Sequence, residues 1–333
     1  MSLRWQLRWA VGKVRIHKTV CTLLATALGD EVRARGLVRL PQWLAHLPAR
    51  ARGAHYQRTV QNLELFDLPP KDIEACACRH IAIEWQKGIH QQRYPLRHPA
   101  LLRTWIRSVA WVDPENHWQR LPHSPYLLVL LHTGEYWMAV ARLVERYVAP
   151  TRFVIPIWNY RDPFTYGALM SLEGLGHKVE ILDSNSPATA LCIARRIRQG
   201  HQVIIFSDIP VSLNTSRAGE PVDGTLFGRA AQFVKGPMFL ASRLGCPVLL
   251  AGHRVQLGSH GQLHAIAHIA HGEVQDMLAH WSKAMERFIR QAPEHWFYLS
   301  QMEAFYQRQP DSAQRRSNIP AALTKHTHRR VAP

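Results

Sequence analysis

The stretch YLLVLLHTGEYWMAVARLVER, residues 126–146, sets His132 where an apolar run gives way to a helical pattern. An imidazole is neutral and basic near physiological pH, so a histidine at such a junction is a candidate proton acceptor. Asp208 ends a second apolar run, QVIIFSD. Other residues invite other chemistries and lose to simpler readings. His253, His260, His264, His268 and His271 crowd one region, but no acid or cysteine stands beside them at a zinc-site spacing. They are expected to be exposed histidines of a strand and its flanks, and neither a metal nor any other cofactor is required. GLGHKV, residues 174–179, has its glycines between a helical segment and a strand, the reverse of the order that a dinucleotide loop needs. The Gly-x-Ser-x-Gly elbow of a serine hydrolase is absent from the chain.

The elements that must position these residues follow from periodicity. Beyond Leu121 the runs YLLVLL, TRFVIPIW, HKVEILD, QVIIFSD, CPVLLAGHRVQL and QLHAIAHIA alternate with helical segments, which predicts an α/β fold with a mixed sheet flanked by helices. Such folds place their chemistry at the carboxyl ends of the strands, where His132 and Asp208 fall. Before the sheet, residues 56–88 read as two helices joined at Leu68-Pro69-Pro70, since proline ends one helix and opens the next. The predicted organisation is a basic amphipathic N-terminal helical region over 1–55, an α/β domain over 56–306 and a disordered basic tail over 307–333.

Composition bounds the setting. The 333 residues are 47% hydrophobic, enough for one large core, and carry 41 Lys and Arg against 24 Asp and Glu, a net charge of +17. A surface of that sign attracts anionic lipid, acidic proteins or nucleic acid. Nucleic acid is disfavoured, because no helix-turn-helix, zinc-finger or aromatic RNA-reading motif is visible and the charge is spread rather than gathered in a strip. The cysteines Cys21, Cys76, Cys78, Cys192 and Cys246 are odd in number and form no Cys-x-x-Cys pair, which suits a reducing compartment. VCTLLATALG, residues 20–29, is too short to span a bilayer and lacks an obvious cleavage site after it, so the chain is expected to stay in the cytosol. The opening twenty residues interleave Arg4, Arg8, Lys13, Arg15 and Lys18 with Trp5 and Trp9, four apart on one helical face, as a membrane-interface helix would.

In order along the chain, NLEL, LLHTGEYW, IIFSDIP, LFGRAAQFVKGPMFLASRLGCPVLLAG and MERFIRQAPEHWFYL resemble the lauroyl/myristoyl acyltransferases of lipid A biosynthesis, over most of Tyr56 to Tyr306. GPMFLASRLGCPV and APEHWFYL are similar to structural blocks of that family. The resemblance implies an acyltransferase-like domain at the cytoplasmic face of the inner membrane. It implies an acyl carrier protein or coenzyme A thioester as donor, a lipid or glycolipid hydroxyl as acceptor, and His132 as the base that activates that hydroxyl. Backbone N–H groups near the helix start would stabilise the oxyanion.

The family's histidine belongs to a His-x4-Asp/Glu motif, and here the acid's position holds Trp137. An indole accepts no hydrogen bond from imidazole. Glu135, the nearest carboxylate in sequence, is the candidate partner of His132; it could instead complement a helix start, or the acid could come from another loop as Asp162 or Asp208. By the same resemblance Arg161, with Arg152 at the start of its strand, stands for the family's phosphate-binding arginine, and Asp208 for an aspartate that holds loops of the site. Arg229 and Lys235 flank GRAAQFVKGP, read as a helix start able to meet phosphate. With the motif acid missing, the alternative is a catalytically degenerate protein that keeps the fold and binds lipid or carrier protein.

Overall fold

A computed structural model describes residues 16–48, 51–93, 98–121, 126–157, 162–211 and 221–306. The opening basic segment with Trp5 and Trp9, Arg161, and the tail from 307 lie outside the described residues.

The chain begins with helical residues 16–27 (α1), α2 (Asp30–His46), α3 (Gly53–Leu63) and the long α4 (Pro70–Arg93). The joint at Leu68-Pro69-Pro70 falls as expected, with Pro70 opening α4. Helix α3 runs across residue 55, where a domain boundary was drawn. Cys21, Ala25 and Leu37 pack on Ile89 of α4, and the buried Arg33 turns back on the end of α1, donating to the carbonyls of Ala25 at 3.1 Å and Leu28 at 2.6 Å. The unsatisfied carbonyls of a helix end thereby gain a cationic donor.

There follow α5 (Pro99–Arg107), β1 (Ala110–Val112), β2 (Leu127–Leu130), α6 (Tyr136–Glu145), β3 (Arg152–Ile157), α7 (Pro163–Met170), β4 (Lys178–Asp183), α8 (Thr189–Arg198) and β5 (Gln202–Phe206). The remainder is β6 (Pro221–Leu226), β7 (Arg229–Val234), α9 (Gly236–Leu244), β8 (Val248–Arg254), β9 (Gln262–Ile269), α10 (Val274–Gln291) and α11 (Glu303–Tyr306). All six expected runs are strands of one seven-stranded sheet, ordered β1-β9-β8-β2-β5-β3-β4. Pairing is parallel except between β8 and β9. The three-residue β1 was not expected. Nor was the antiparallel hairpin of β6 and β7, which makes GRAAQFV a strand rather than a helix start; α9 begins only at Gly236.

The central strand β2 shows why the sheet reads as unbroken apolar sequence. Leu127, Val129 and Leu131 join a core formed with α8, α9 and α10, whereas Leu128 and Leu130 join a second core formed with α5, α6 and α7. Both faces are covered, so every position wants an apolar side chain. From β2 the chain travels towards β3 and β4, returns to β5 beside β2, and then crosses to β8 on the other side. The carboxyl ends of β2 and β5 are therefore a topological switch point, where connections leave to opposite faces, the place where open α/β sheets usually bind their ligands.

Close approach of α10 to the sheet depends on Gly252 in β8. A Cβ there would stand 2.6 Å from the Phe288 ring and 3.0 Å from Thr133 Oγ1. Gly252→Ala is expected to cost about 1–3 kcal/mol by overpacking. An unchanged urea midpoint would show that α10 yields freely and that this contact does not set its position.

Candidate functional site

His132 and Asp208 meet at the switch point. The β2/β5 register pairs Leu127 with Val203 and Leu130 with Phe206. Continued past the strand ends, it sets His132 beside Asp208. The fully buried Asp208 carboxylate accepts the His132 backbone N–H at 3.0 and 2.9 Å, one bond to each oxygen, and the His132 Nδ1–H at 2.7 Å. The Trp296 indole N–H donates to Oδ2 at 3.1 Å. With Nδ1 carrying the proton, Nε2 holds the ring's lone pair, and it has no hydrogen-bond partner among the described residues. The side chain of His132 is 13% exposed. Its ring is stacked on Phe206 at 4.3 Å and flanked edge-on by Tyr136 at 5.1 Å and Tyr298 at 5.4 Å. A carboxylate on one nitrogen, the other nitrogen uncommitted and aromatic rings packed against the imidazole are the arrangement of an oriented general base.

The turn that carries His132 is held on all sides. Thr133 bridges to Trp296; the His132 carbonyl accepts the Phe297 N–H at 2.8 Å, and the Gly134 N–H donates to the His295 carbonyl at 2.7 Å. Thr133 Oγ1 accepts the His253 N–H at 2.9 Å. Gly134 takes φ +54°, and a Cβ would sit 2.7 Å from both the His253 carbonyl and ring, so only glycine lets the turn press against β8. The APEHWFYL block is therefore the clamp of the site. The sequence reading took this block as structural rather than catalytic and missed Trp296, for which only the resemblance to a family block was a signal.

These bonds narrow the choice of oxyanion donors near the helix start. The N–H groups of Thr133, Gly134 and Glu135 are spent on the Leu131 carbonyl, the His295 carbonyl and His253 Nδ1. Helix α6 starts later, at Tyr136, and its first-turn N–H groups have no partners within the helix.

Glu135 is not the partner of His132. Its buried carboxylate accepts from Gln86 Nε2 at 2.6 Å and from His90 Nδ1 at 2.8 Å, both on α4. At the N-cap position of α6 it makes no side-chain capping bond either. Burial alone would raise its pKa, but the surrounding imidazoles of His90, His260 and His253 outweigh that and bring it down to about 2. Asp162 is engaged elsewhere, capping α7 through Thr165 at 3.1 Å and pairing with Lys18 at 2.8 Å. Arg152 opens β3, at the amino end of the sheet, away from the switch point. Arg229 begins β7, paired with Glu303 at 3.1 Å and lying 4.0 Å over the Tyr306 ring, and Lys235 occupies the N-cap of α9 without a side-chain capping bond. Neither is joined to His132 by a described contact. His253, expected exposed, is fully buried: Nδ1 accepts the Glu135 N–H at 3.1 Å and Nε2–H donates to the His260 carbonyl at 2.8 Å.

Beside the aromatic wall, Lys87 lies 4.0 Å over Phe297 and 5.1 Å over Tyr136, with Glu84 at 2.6 Å. Burial lowers the lysine's pKa against the pull of its partner, and burial raises that of the Tyr136 phenol. All five cysteines are free thiols.

Half-buried imidazoles give the stability a definite pH dependence. Desolvation takes His55, His264 and His295 down to about 4 from an ordinary 6.5. The unfolded chain then binds more protons than the folded one between those values, so stability falls as pH drops through that window. Glu135, depressed from 4.5, adds a further loss as pH falls towards 2. The melting temperature should be level near pH 8 and fall steadily from pH 6.5 to 4; a flat profile over that range would contradict the assigned burial of these rings.

No protein-family model matches the chain, and no curated protein is significantly similar to it in sequence.

Proposed function

We propose that the chain is an O-acyltransferase that moves an acyl group from a carrier thioester to a lipid or glycolipid hydroxyl at a membrane surface. The observation that carries this reading is the His132–Asp208 pair at the switch point, with His132 Nε2 uncommitted in an aromatic recess. In the proposed reaction Nε2 takes the acceptor hydroxyl's proton as its oxygen attacks the thioester carbonyl. Asp208 stabilises the imidazolium that forms. Collapse of the tetrahedral oxyanion breaks the carbon–sulfur bond, and the leaving thiolate recovers the proton from His132. Donors for that oxyanion are sought at the start of α6, in the N–H groups of Tyr136 and Trp137, since those of the preceding turn are taken.

Two further features support a membrane setting. Ile16 and Leu23 of α1 and Val32, Val38 and Trp43 of α2 are exposed, beside a chain of net charge +17. Among the described residues no helix is long and apolar enough to cross a membrane, so attachment through this region would be peripheral. An acidic acyl carrier protein and an anionic leaflet both suit the basic surface. The acyl-transfer chemistry also follows the resemblance of the LLHTGEYW, IIFSDIP and APEHWFYL blocks, with Asp208 in the role that the family gives to the acid at the position of Trp137.

Trp137, an indole at the position of the family's acid that can accept no hydrogen bond from imidazole, is the observation that favours a binding protein without catalysis. Mass spectrometry of a bacterial lipid extract incubated with the protein and acyl-loaded carrier separates the two. A new acylated lipid should appear, and His132→Ala should slow its formation by ~10²–10⁴-fold, the usual contribution of a positioned base. Asp208→Asn should approach the same loss, and Glu135→Gln should fall far short of it. Product formation that survives His132→Ala would remove the acyltransferase mechanism, and carrier or lipid binding without any product would establish the binding role.

A further inference from the structure

We propose that His90, Glu135 and His260 form a binding site for one divalent transition-metal ion, zinc or an ion of similar ligand preference, distinct from the His132–Asp208 pair. The three come from α4, from the turn after β2 and from the loop before β9, and their donor atoms lie within 4.8 Å of one another. Two imidazoles and one carboxylate are a ligand set that zinc and its first-row neighbours accept, with at least one position left for water.

Several observations separate this set from an ordinary buried ion pair. His90 Nδ1 and Glu135 Oε2 are 2.8 Å apart. Two metal–ligand bonds of about 2.0–2.1 Å meeting near a right angle span about that distance, so an ion could replace the shared hydrogen with little movement. For that exchange the proton of His90 shifts to Nε2 and Nδ1 offers its lone pair. His260 Nδ1 is buried without a hydrogen-bond partner among the described residues, a costly state for a polar atom that a metal bond would relieve. The His260 ring stands 5.1 Å from that of His90, and Trp105 walls both, at 4.6 and 5.4 Å.

The surroundings are those of a supported ligand set. Gln86 Nε2 donates to Glu135 Oε1 at 2.6 Å, fixing the carboxylate's orientation, and to the Ser259 carbonyl at 2.7 Å. Its Oε1 accepts the Gly258 N–H at 2.8 Å, so one side chain ties the loop of His260 to the helix of His90. Such second partners orient metal ligands. The nearby His253 is excluded as a ligand, because both of its nitrogens are already committed. An ion here would fasten α4 and the 255–261 loop to the turn that carries His132, which gives it a structural task. The sequence disguises the set, because the acid precedes the crowded histidines by a long interval and His90 stands apart from them.

The test is zinc titration of the untagged 333-residue chain by calorimetry, with cobalt(II) absorption as a second probe. His326 and His328 of the tail are replaced by alanine in every sample, so that they contribute no binding. One equivalent of zinc should bind and raise the melting temperature. His260→Ala removes a partly exposed loop residue and should preserve the fold while weakening binding at least tenfold. His268→Ala, on β9 outside the set, should leave it unchanged. The visible bands of bound cobalt should change or vanish in His260→Ala alone. Absence of binding in the micromolar range, or equal affinity in His260→Ala, would overturn the proposal and leave His90 and Glu135 as a hydrogen-bonded pair with His260 packed beside them.

Discussion

The site depends on one buried carboxylate. Asp208 has no exposed surface, and an ion in that position costs several kcal/mol unless donors replace the water it has lost. Three donor groups do so: the backbone and ring N–H groups of His132 and the indole N–H of Trp296. Each comes from a different constraint. The backbone N–H arrives because the β2/β5 ladder runs one step past the strands, as the Ser207 N–H to Leu130 bond shows, while the Leu131 N–H to Ala251 bond continues the pairing of β2 with β8. The ring N–H follows once the backbone is fixed. The indole arrives on the segment after α10, which is itself anchored by the Trp281 N–H to Ser207 Oγ at 2.8 Å, next to the carboxylate. Satisfying Asp208 thus fixes the tautomer of His132, the orientation of its ring and the seat of the C-terminal clamp together.

That economy has a consequence for the turn after β2. A catalytic loop often keeps its N–H groups free for substrate, but here the turn spends them on its own Leu131 carbonyl, on β8 and on the 292–297 segment. What it gains is rigidity, with its histidine held by secondary structure on three sides. What it gives up is an oxyanion role for its own N–H groups, which falls instead to the first residues of α6, 136 and 137.

The fold was largely legible because the sheet is covered on both faces. Six continuous apolar runs announced six strands, and the proline pair at 69–70 placed the joint between α3 and α4. The failures have physical causes. β1 is too short to show a period, and β6 and β7 expose much of their surface, so their residues carry little apolar signal. His132 and Asp208 were each visible as residues at strand ends. Their union was not, because it rests on which strands are neighbours and in what register, and sequence order gave β3 rather than β5 as the next strand after β2. Glu135 drew attention by proximity along the chain, where three residues amount to one turn. Since α6 begins only at Tyr136, that helical spacing does not apply, and the side chain turns to α4 instead.

Helix α4 resisted reading for a related reason. Its buried positions include His80, Gln86, Lys87, His90 and Gln92 beside Cys76, Ala77, Ile83 and Ile89. A helix packed only on a core would keep such groups out of the interior, since each demands a partner there. Here the partners exist: the Glu294 carbonyl for His80, Glu84 for Lys87, and Glu135 for both Gln86 and His90. Local patterning fails where a helix is built to line a polar interior, and those are the places where function is expected to override it. The polar face of α4 lies against the turn that carries His132, so the least regular face in the sequence borders the most constrained chemistry in the fold.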